Sequence, residues 1–281
     1  SRIGKFIGQG QLLCDTEAIL ASDQNHILIT FDDGLHEQYV LAKPILDKLG
    51  IEAVYFINSI NHLEKEVSSV HKIHLLRSQI SPVDLLQNMA ESLSDSNLVL
   101  TENEKQKAQQ HYNYDDAQSA FLKYLLNFKL SSKQTELVIN DLFPKYFDRQ
   151  KVVESLYMNT EQLRELSLLN MLGNHTHSHF ALGLLPTENI VAEISKTKEI
   201  IDNFGHPNKH MISYPYGSAE ACQSPVADIA KQIGYQVGFT MERGINQAPS
   251  NHLLLKRFDC NDVPGGKNER FFKNEYSFIY K

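Results

Sequence analysis

The histidines between positions 175 and 179 have the clearest chemical potential in this sequence. His175-Thr176-His177-Ser178-His179 places two imidazoles four residues apart. On a helical turn this spacing brings both side chains to one face, within reach of one cation. His175 and His179 form the natural pair, and we expect His177 to point elsewhere. Two histidines alone are equally typical of a structural cation, a pH-sensitive surface or no site at all.

Two adjacent carboxylates, Asp32 and Asp33, precede Gly34 and offer the third ligand of a catalytic zinc site. Such sites keep three protein ligands and one open position, and two histidines with one carboxylate are an established set. One aspartate can bind the ion while its neighbour acts as a base. Taken alone, Asp-Asp-Gly is also typical of a solvated turn, and the histidine cluster favours the metal site.

The aspartates follow a short apolar segment that must position them. Residues 26–31 predict a buried strand, residues 37–49 a helix capped by Gly50, and residues 51–57 a second strand. Together they make a parallel βαβ unit, whose ligands bind at the carboxyl ends of the strands. The apolar residues of the helix form one stripe: Val40, Leu41, Ile45, Leu46 and Leu49.

The same alternation returns in the second half of the chain. It predicts strands at 170–173, 211–214 and 236–240, separated by helices at 160–168, 188–204 and 225–233. Polar, turn-forming clusters therefore follow three strands: Asp32-Asp33, His175–His179 and Tyr214–Gly217. In an α/β barrel such strand ends share one face, so the clusters should converge.

Between these halves the pattern becomes helical. Apolar residues recur three or four apart in four segments: Val70–Leu76, Val83–Leu93, Ala117–Phe128 and Thr135–Phe147. We predict two parts, a barrel formed by residues 1–60 and 156–281 and a helical insertion or cap over residues 61–155. The insertion either shapes a substrate cleft or only thickens the scaffold.

Composition excludes several classes of protein. The 34 acidic residues outnumber the 27 basic ones, and a net charge of −7 disfavours a nucleic-acid partner. No apolar run is long enough to span a membrane, and no secretory segment is visible at the N-terminus. The three widely spaced cysteines indicate reduced thiols. We expect a cytoplasmic protein, although an initial Ser1 rather than Met suggests processing or trimming.

Three motifs resemble those of the polysaccharide deacetylase family, the NodB-homology domain of the fourth carbohydrate esterase family. Thr30–Gly34 and His175–His179 are similar to its first two motifs, and Ser213–Gly217 to its third. The resemblance covers about residues 26–60 and 157–263. It implies an α/β fold, a deformed (β/α) barrel usually of seven strands, here with a mostly helical insertion.

The resemblance also implies roles for individual residues. Asp33, His175 and His179 would hold a divalent cation, with zinc the best fit and cobalt or nickel acceptable. Asp32 stands in the position of the base that removes a proton from the attacking water. The backbone N–H of Tyr216 would help to hold the oxyanion.

The chain departs from the family pattern at its third and fourth motifs. Many members carry an arginine where this chain has Ser213, so the residue that orients the base must come from elsewhere. Arg257 is the candidate, since the apolar run Leu253–Leu255 would place it at another strand end; it is equally typical of a surface cation. Asp259–Asp262 resembles the fourth motif, with Val263 in the place of its tryptophan.

The general acid is missing from the expected place. Family members commonly use a histidine near the C-terminus, and residues 265–281 contain none. Another group must then protonate the leaving amine, a water or a residue of the insertion, or the activity is weak. We interpret His71 and His74 in the insertion as ordinary helix residues.

These observations predict a metal-dependent N-deacetylase. Its substrate would be an N-acetylated sugar in a polysaccharide, a lipid-linked precursor or a nucleotide sugar, as in cell-surface polysaccharide biosynthesis. The alternatives are a deformylase or other small-amide hydrolase acting on a sugar, and a glycan-binding homologue that has lost turnover. The sequence does not predict the oligomeric state.

Overall fold

The computed structural model describes residues 4–93, 98–205, 211–267 and 269. Its strands are all parallel and form two sheets. A pair is formed by β1 and β2, and a five-stranded sheet has the order β3-β4-β5-β6-β7. The strands are β1 Lys5–Phe6, β2 His26–Ile27, β3 Ile29–Phe31, β4 Ala53–Ile57, β5 Leu172–Asn174, β6 Met211–Ser213 and β7 Val237–Phe239.

Helices lie between most consecutive strands and through the middle of the chain. The α-helices are α1 Gln9–Cys14, α2 Thr16–Ala21, α3 Lys43–Leu49, α4 Ile60–Leu63, α5 Ser69–Gln79, α6 Pro82–Ser92, α7 Glu102–His111, α8 Ala117–Tyr124, α9 Ser132–Leu142, α10 Arg149–Leu156, α11 Thr160–Leu168, α12 Thr187–Asn203 and α13 Val226–Ile233. None of the helices in the described ranges is long and apolar enough to cross a membrane.

Neighbouring strands of the five-stranded sheet pair residue by residue in a parallel arrangement. Phe31 pairs with Tyr55, Ile57 with Asn174, and Asn174 with Ile212. Because neighbouring strands run in the same direction, their carboxyl ends lie along one edge. The sequence predicts each strand of the five-stranded sheet to within a few residues, although the predicted strand 26–31 is divided between β2 and β3. It does not predict β1.

The core divides between the sheet and the middle helices. One apolar cluster includes Val54, Phe56 and Phe239 from the sheet, and another packs Leu76, Leu85 and other side chains of residues 67–157. The helices predicted in the middle of the chain are present as α5, α6, α8 and α9. The division of the chain into a barrel and an insertion at residues 61 and 155 stays a prediction.

The apolar stripe of the first βα helix faces the solvent, contrary to what an amphipathic reading suggests. Leu41, Ile45 and Leu49 are 61%, 59% and 64% exposed, and of the stripe only Leu46 packs against a core cluster. A π-helical turn at Gln38–Ala42 precedes α3. Gly50 caps α3 in the left-handed conformation, as its position predicts.

Candidate metal centre

Three side chains converge at the carboxyl edge of the sheet. Asp33 follows β3, and His175 directly follows β5. His175 Nε2 lies 3.5 Å and His179 Nε2 lies 3.4 Å from the same oxygen, Asp33 Oδ1. The three ligand atoms lie within 4.8 Å of one another. The sequence predicted this grouping from residues about 140 positions apart, because parallel strand ends share an edge.

The helical turn predicted for the histidine pair is wrong. Residues 175–179 are not helical but form a loop. Thr176 and His179 adopt left-handed backbone conformations, with φ of 64° and 60°. This loop, rather than a helical turn, brings the two imidazoles together, with ring centroids 4.9 Å apart.

Left-handed backbone is common around the centre. Besides the two residues of the histidine loop, Asp33 has φ of 76° and Tyr216 has φ of 61°. Non-glycine residues rarely adopt this conformation, which costs about 1–3 kcal/mol and persists where the surroundings enforce it. Such residues cluster at functional sites, and here they surround the same group of ligand atoms.

The hydrogen bonds of His175 leave its other nitrogen free to bind an ion. His175 Nδ1 lies 2.7 Å from the carbonyl oxygen of Ser213. A carbonyl only accepts hydrogen bonds, so Nδ1 carries the proton and Nε2 presents a lone pair to Asp33. Among the described residues, neither Asp33 Oδ1 nor His179 Nδ1 has a hydrogen-bond partner.

This donor set fits a tetrahedral divalent cation. Ligands about 2.0–2.1 Å from zinc in tetrahedral geometry lie roughly 3.3–3.4 Å from one another. The observed separations between the oxygen and each nitrogen are 3.4 and 3.5 Å. A buried carboxylate oxygen without a donor, facing an imidazole lone pair, is costly unless a positive charge lies between them.

The protonation states also suit metal binding. Burial raises the pKa of the Asp33 carboxyl, but His179, His71 and His175 together lower it by more. The pKa therefore lies well below its ordinary value. Burial lowers the pKa of His179 to about 4, against the opposing charge of Asp33. At neutral pH the carboxylate is therefore ionised and His179 is neutral, the forms in which both bind metals.

Asp32 lies beside the ligand group and is held by Arg257. The guanidinium makes two contacts with the carboxylate, Nη1 to Oδ1 at 3.1 Å and Nη2 to Oδ2 at 2.9 Å. Its Nε donates to the Thr240 carbonyl oxygen, and Nη1 also lies 3.2 Å from Thr30 Oγ1. Although burial raises the pKa of Asp32, Arg257 and His175 bring it below its ordinary value.

The route by which Arg257 reaches the site differs from the predicted one. Leu253 and Leu254 belong to a 3₁₀ turn, His252–Leu254, and only Leu255 pairs with the sheet, through a parallel bridge to Phe239. That single bridge continues the order of the strands, so Arg257 still lies at their carboxyl edge. Ser213, in the usual place of the arginine, contributes its carbonyl oxygen to His175 instead.

His177 points away from the ligand group, as the spacing predicts. Its Nδ1 lies 2.8 Å from Ser59 Oγ, and its Nε2 lies 2.9 Å from Glu64 Oε1. The side chain is buried, and Thr197 Oγ1 lies 2.7 Å from the same Ser59 hydroxyl. These contacts hold the histidine loop against α4 and α12.

Tyr216 connects the centre to the middle helices. Its ring makes an edge contact with His179, with centroids 5.1 Å apart, and its hydroxyl donates to Asn127 Oδ1 at 2.9 Å. A cleft of about 550 Å³ opens at this junction. Its walls carry polar groups from both sides: Ser69, Asn127 and Gln134 on the middle helices, and His179, Asn189 and Tyr216 beside the sheet.

Asp259–Asp262, the segment that resembles the fourth motif, makes its side-chain contacts away from the ligand group. Asp262 is buried and pairs with Arg243, Nε to Oδ2 at 2.5 Å, and its Oδ1 accepts from the Tyr114 hydroxyl. Tyr114 lies in the loop between α7 and α8, and Arg243 lies in the loop after β7, so these contacts do not involve Asp32. The histidine-free stretch 270–281 lies outside the described residues.

Sequence reasoning missed His71. The sequence predicts an ordinary helix residue at this position, but α5 directs the side chain to the ligand group, where Nε2 lies 3.5 Å from Asp33 Oδ2. Its Nδ1 lies 2.6 Å from the Tyr157 hydroxyl. No spacing in the sequence relates position 71 to position 33, because only the folded arrangement of the chain places α5 beside the ligand group.

The fold and the site define a deformed (β/α) barrel with a two-histidine, one-carboxylate group at its strand ends. Residues 145–238 match the family model for polysaccharide deacetylase, a segment that contains the histidine loop and the third motif but not Asp32 or Asp33. The resemblance read from the motifs is thereby confirmed.

Comparison with curated proteins agrees with this family. The chain is 28% identical over 102 residues to a putative polysaccharide deacetylase, YxkH, of Bacillus subtilis. The match spans 36% of this chain and 36% of that protein, so the two correspond over about a third of their lengths.

Solved structures show the same fold. The deacetylase PplD of Streptococcus pyogenes, solved with acetate, is similar with a TM-score of 0.50 and 17% identity over 90% of this chain and 72% of that one. The deacetylase domain of BpsB from Bordetella bronchiseptica gives 0.52 and 15% over 90% and 78%. The predicted deformed barrel is confirmed, and the seven strands found among the described residues are consistent with the predicted number.

Proposed function

We propose that this protein is a metal-dependent hydrolase that removes an acetyl group from the amide nitrogen of an N-acetylated sugar. The observation that carries the proposal is the meeting of Asp33 Oδ1 with two imidazole Nε2 atoms at 3.4 and 3.5 Å. A second carboxylate, Asp32, lies beside them. The family match over residues 145–238 and the deacetylase fold support the same activity.

Asp33, His175 and His179 would hold the cation, and zinc suits two imidazoles and a carboxylate best. When bound, a divalent cation supplies Lewis acidity, which polarises the amide carbonyl and makes water a better nucleophile at neutral pH. The hydrogen bond from His175 Nδ1 to Ser213 keeps the ligand nitrogen free of a proton.

Asp32 is the base of the proposed reaction. The two contacts from Arg257 orient its carboxylate and keep it ionised at neutral pH. It can therefore accept a proton from the attacking water and hold it near the leaving nitrogen. A carboxylate in this position has no use in a site that only binds glycans, which favours the enzyme over the binding homologue.

Tyr216 contributes its backbone N–H to the oxyanion in this proposal. The backbone of Tyr216 is left-handed, its ring lies against the His179 ring, and both residues line the cleft. An N–H donor fixed before the reaction stabilises the tetrahedral oxyanion without reorganisation. The polar walls of the cleft offer hydrogen-bonding groups to sugar hydroxyls, and its volume of about 550 Å³ suits one or a few sugar rings.

The test is release of acetate from N-acetylated oligosaccharides, measured with and without a chelator. We expect chelation to abolish release and added zinc to restore it. Asp32→Asn should abolish turnover while leaving the metal content intact. Full activity in this variant would show that the base is misassigned. N-formylated and N-acetylated versions of one oligosaccharide, compared side by side, separate a deacetylase from a deformylase.

A further inference from the structure

His71 approaches the metal centre from outside the sheet. It lies on α5, and its side chain is only 12% exposed. Its Nε2 is 3.5 Å from Asp33 Oδ2, at the outer limit of a direct hydrogen bond. The two ligand histidines instead face Oδ1, the other oxygen of the same carboxylate. The two Asp33 oxygens therefore have different neighbours.

Tyr157 determines which nitrogen of His71 carries the proton. The Tyr157 hydroxyl accepts a hydrogen bond from the Ser68 backbone N–H at 3.1 Å, and its oxygen lies 2.6 Å from His71 Nδ1. Burial raises the pKa of Tyr157 well above its ordinary value, so the phenol keeps its proton. On its other side His71 Nε2 faces Asp33 Oδ2, a carboxylate oxygen that can only accept. Nε2 is therefore the nitrogen that carries the proton, and Nδ1 accepts the proton of the Tyr157 hydroxyl.

We propose that His71, held as its Nε2–H tautomer by Tyr157, donates to Asp33 Oδ2 and thereby positions Oδ1 for the cation. His71 is a positioning residue, since it acts through Asp33 rather than on substrate. The inference rests on the proposed function in one respect, that Asp33 binds a metal. It adds a support for the ligand carboxylate that comes from the middle helices rather than from the barrel strands.

The expected effect is on metal affinity. Groups that orient a ligand contribute to binding because the ligand is already in place when the ion arrives, and their loss typically weakens affinity by about 10- to 100-fold. Such a group matters for Asp33 because only one of its oxygens, Oδ1, faces both ligand histidines, so the orientation of the carboxylate decides whether that oxygen is in place. Without His71, the carboxylate can rotate and its Oδ1 is less often in place.

The first test measures the affinity of the metal-free protein for Co²⁺ alone by titration of its visible absorption. We expect His71→Leu to bind about 10- to 100-fold more weakly than the wild type. His71→Gln should keep most of the affinity, because its side-chain amide can still donate near the same position. His74→Gln, on the exposed face of the same helix, is the matched control and should bind as the wild type does.

The second test reads the tautomer directly in the metal-free protein. Long-range ¹H–¹⁵N spectra of the imidazoles, with His71 assigned by its absence in His71→Gln, distinguish a bare nitrogen from an N–H. We expect a bare Nδ1 and a protonated Nε2 in the wild type. In Tyr157→Phe the preference should weaken, because the donor to Nδ1 is removed.

The failures are distinguishable. If the wild type binds Co²⁺ and His71→Leu binds it equally well, or if Nδ1 carries the proton, the role of His71 is refuted while the metal centre stands. If the wild type itself does not bind Co²⁺, the proposed metal-dependent function fails, and the positioning role fails with it. The spectra use the wild-type chain, so a poorly folded His71→Leu does not prevent a decision.

Discussion

Arg257 and Asp32 face each other through two parallel contacts of 3.1 and 2.9 Å, although 225 residues separate them in the chain. The guanidinium of Arg257 also donates to the Thr240 carbonyl oxygen. Its central carbon, Cζ, lies 5.9 Å from the centroid of the Phe239 ring, over the face of that ring. Such two-point pairs fix the plane of a carboxylate as well as its charge. The pair therefore defines how Asp32 is presented to the centre.

Replacing Arg257 by lysine should reduce turnover without removing the metal. A lysine ammonium cannot make two parallel contacts, so Asp32 loses its orientation while the local charge is kept. Hydrogen bonds to charged groups contribute about 1.5–3 kcal/mol, which predicts a kcat lower by roughly 10- to 100-fold. Steady-state acetate release and zinc analysis measure the two quantities, and Arg164→Lys on the exposed surface is the control. An unchanged kcat would show that the contact does not matter.

Gly34 should tolerate a side chain less well than Gly50, although both are left-handed with φ of 63° and 64°. A Cβ at Gly34 would lie 2.9 Å from Ile57 Cγ2, whereas a Cβ at Gly50 would meet nothing within 4 Å. We expect Gly50→Ala to lower the free energy of unfolding by about 1–2 kcal/mol from the backbone alone. Gly34→Ala should cost about 1–3 kcal/mol more through overpacking. Equal losses in urea denaturation would contradict the packing around the Asp-Asp-Gly turn.

Two neighbouring tyrosines should respond differently to loss of the hydroxyl. The Tyr216 hydroxyl donates to Asn127, while the buried Tyr214 hydroxyl has no partner among the described residues. Tyr216→Phe should lower the free energy of unfolding by about 1 kcal/mol. Tyr214→Phe should leave it unchanged or raise it, because an unpaired buried hydroxyl is removed. The reverse order in denaturation curves would show that Asn127 does not hold Tyr216.

His62 should make the metal-free protein less stable in mild acid. Burial lowers its pKa from 6.5 to about 4, with a smaller contribution from Lys65. Its Nε2 has no hydrogen-bond partner within the described part of the chain. Folding therefore keeps the imidazole neutral, and unfolding allows it to take up a proton below pH 6.5. Its contribution to stability is complete above that pH and is lost as the pH falls towards 4.

The comparison of wild type with His62→Gln isolates this effect. By pH 5 the loss attributable to one such histidine is about 2 kcal/mol relative to pH 8. Urea denaturation of both chains at the two pH values, in the presence of chelator, should show a smaller fall in the free energy of unfolding for the variant. If both chains lose the same amount, His62 does not titrate as its burial implies.

The sequence predicts the ligand group because the residues that form it follow directly after predicted strands. Each of Asp33 and His175 follows a short apolar segment, and parallel strands bring such ends to one edge. The resemblance to the family motifs predicts a different role for Asp32, that of the base. The placement of Arg257 beside Asp32 was also anticipated, although through a strand that is reduced to the single bridge at Leu255.

Features that depend on packing could not be predicted in this way. The histidine loop is not a helical turn, because Thr176 and His179 adopt left-handed conformations that residue types do not reveal. Most of the apolar stripe of the first βα helix faces the solvent, which apolar spacing alone does not show. His71 reaches Asp33 only through the docking of α5.

Direct measurement of zinc binding tests the central claim, that Asp33, His175 and His179 hold one ion. Calorimetric titration of the metal-free protein with Zn²⁺ should give one equivalent for the wild type and for Asp32→Asn. Asp33→Ala should lose binding at that site, because two imidazoles remain without the carboxylate. Tight binding of one equivalent that survives both Asp33→Ala and His179→Ala would contradict it.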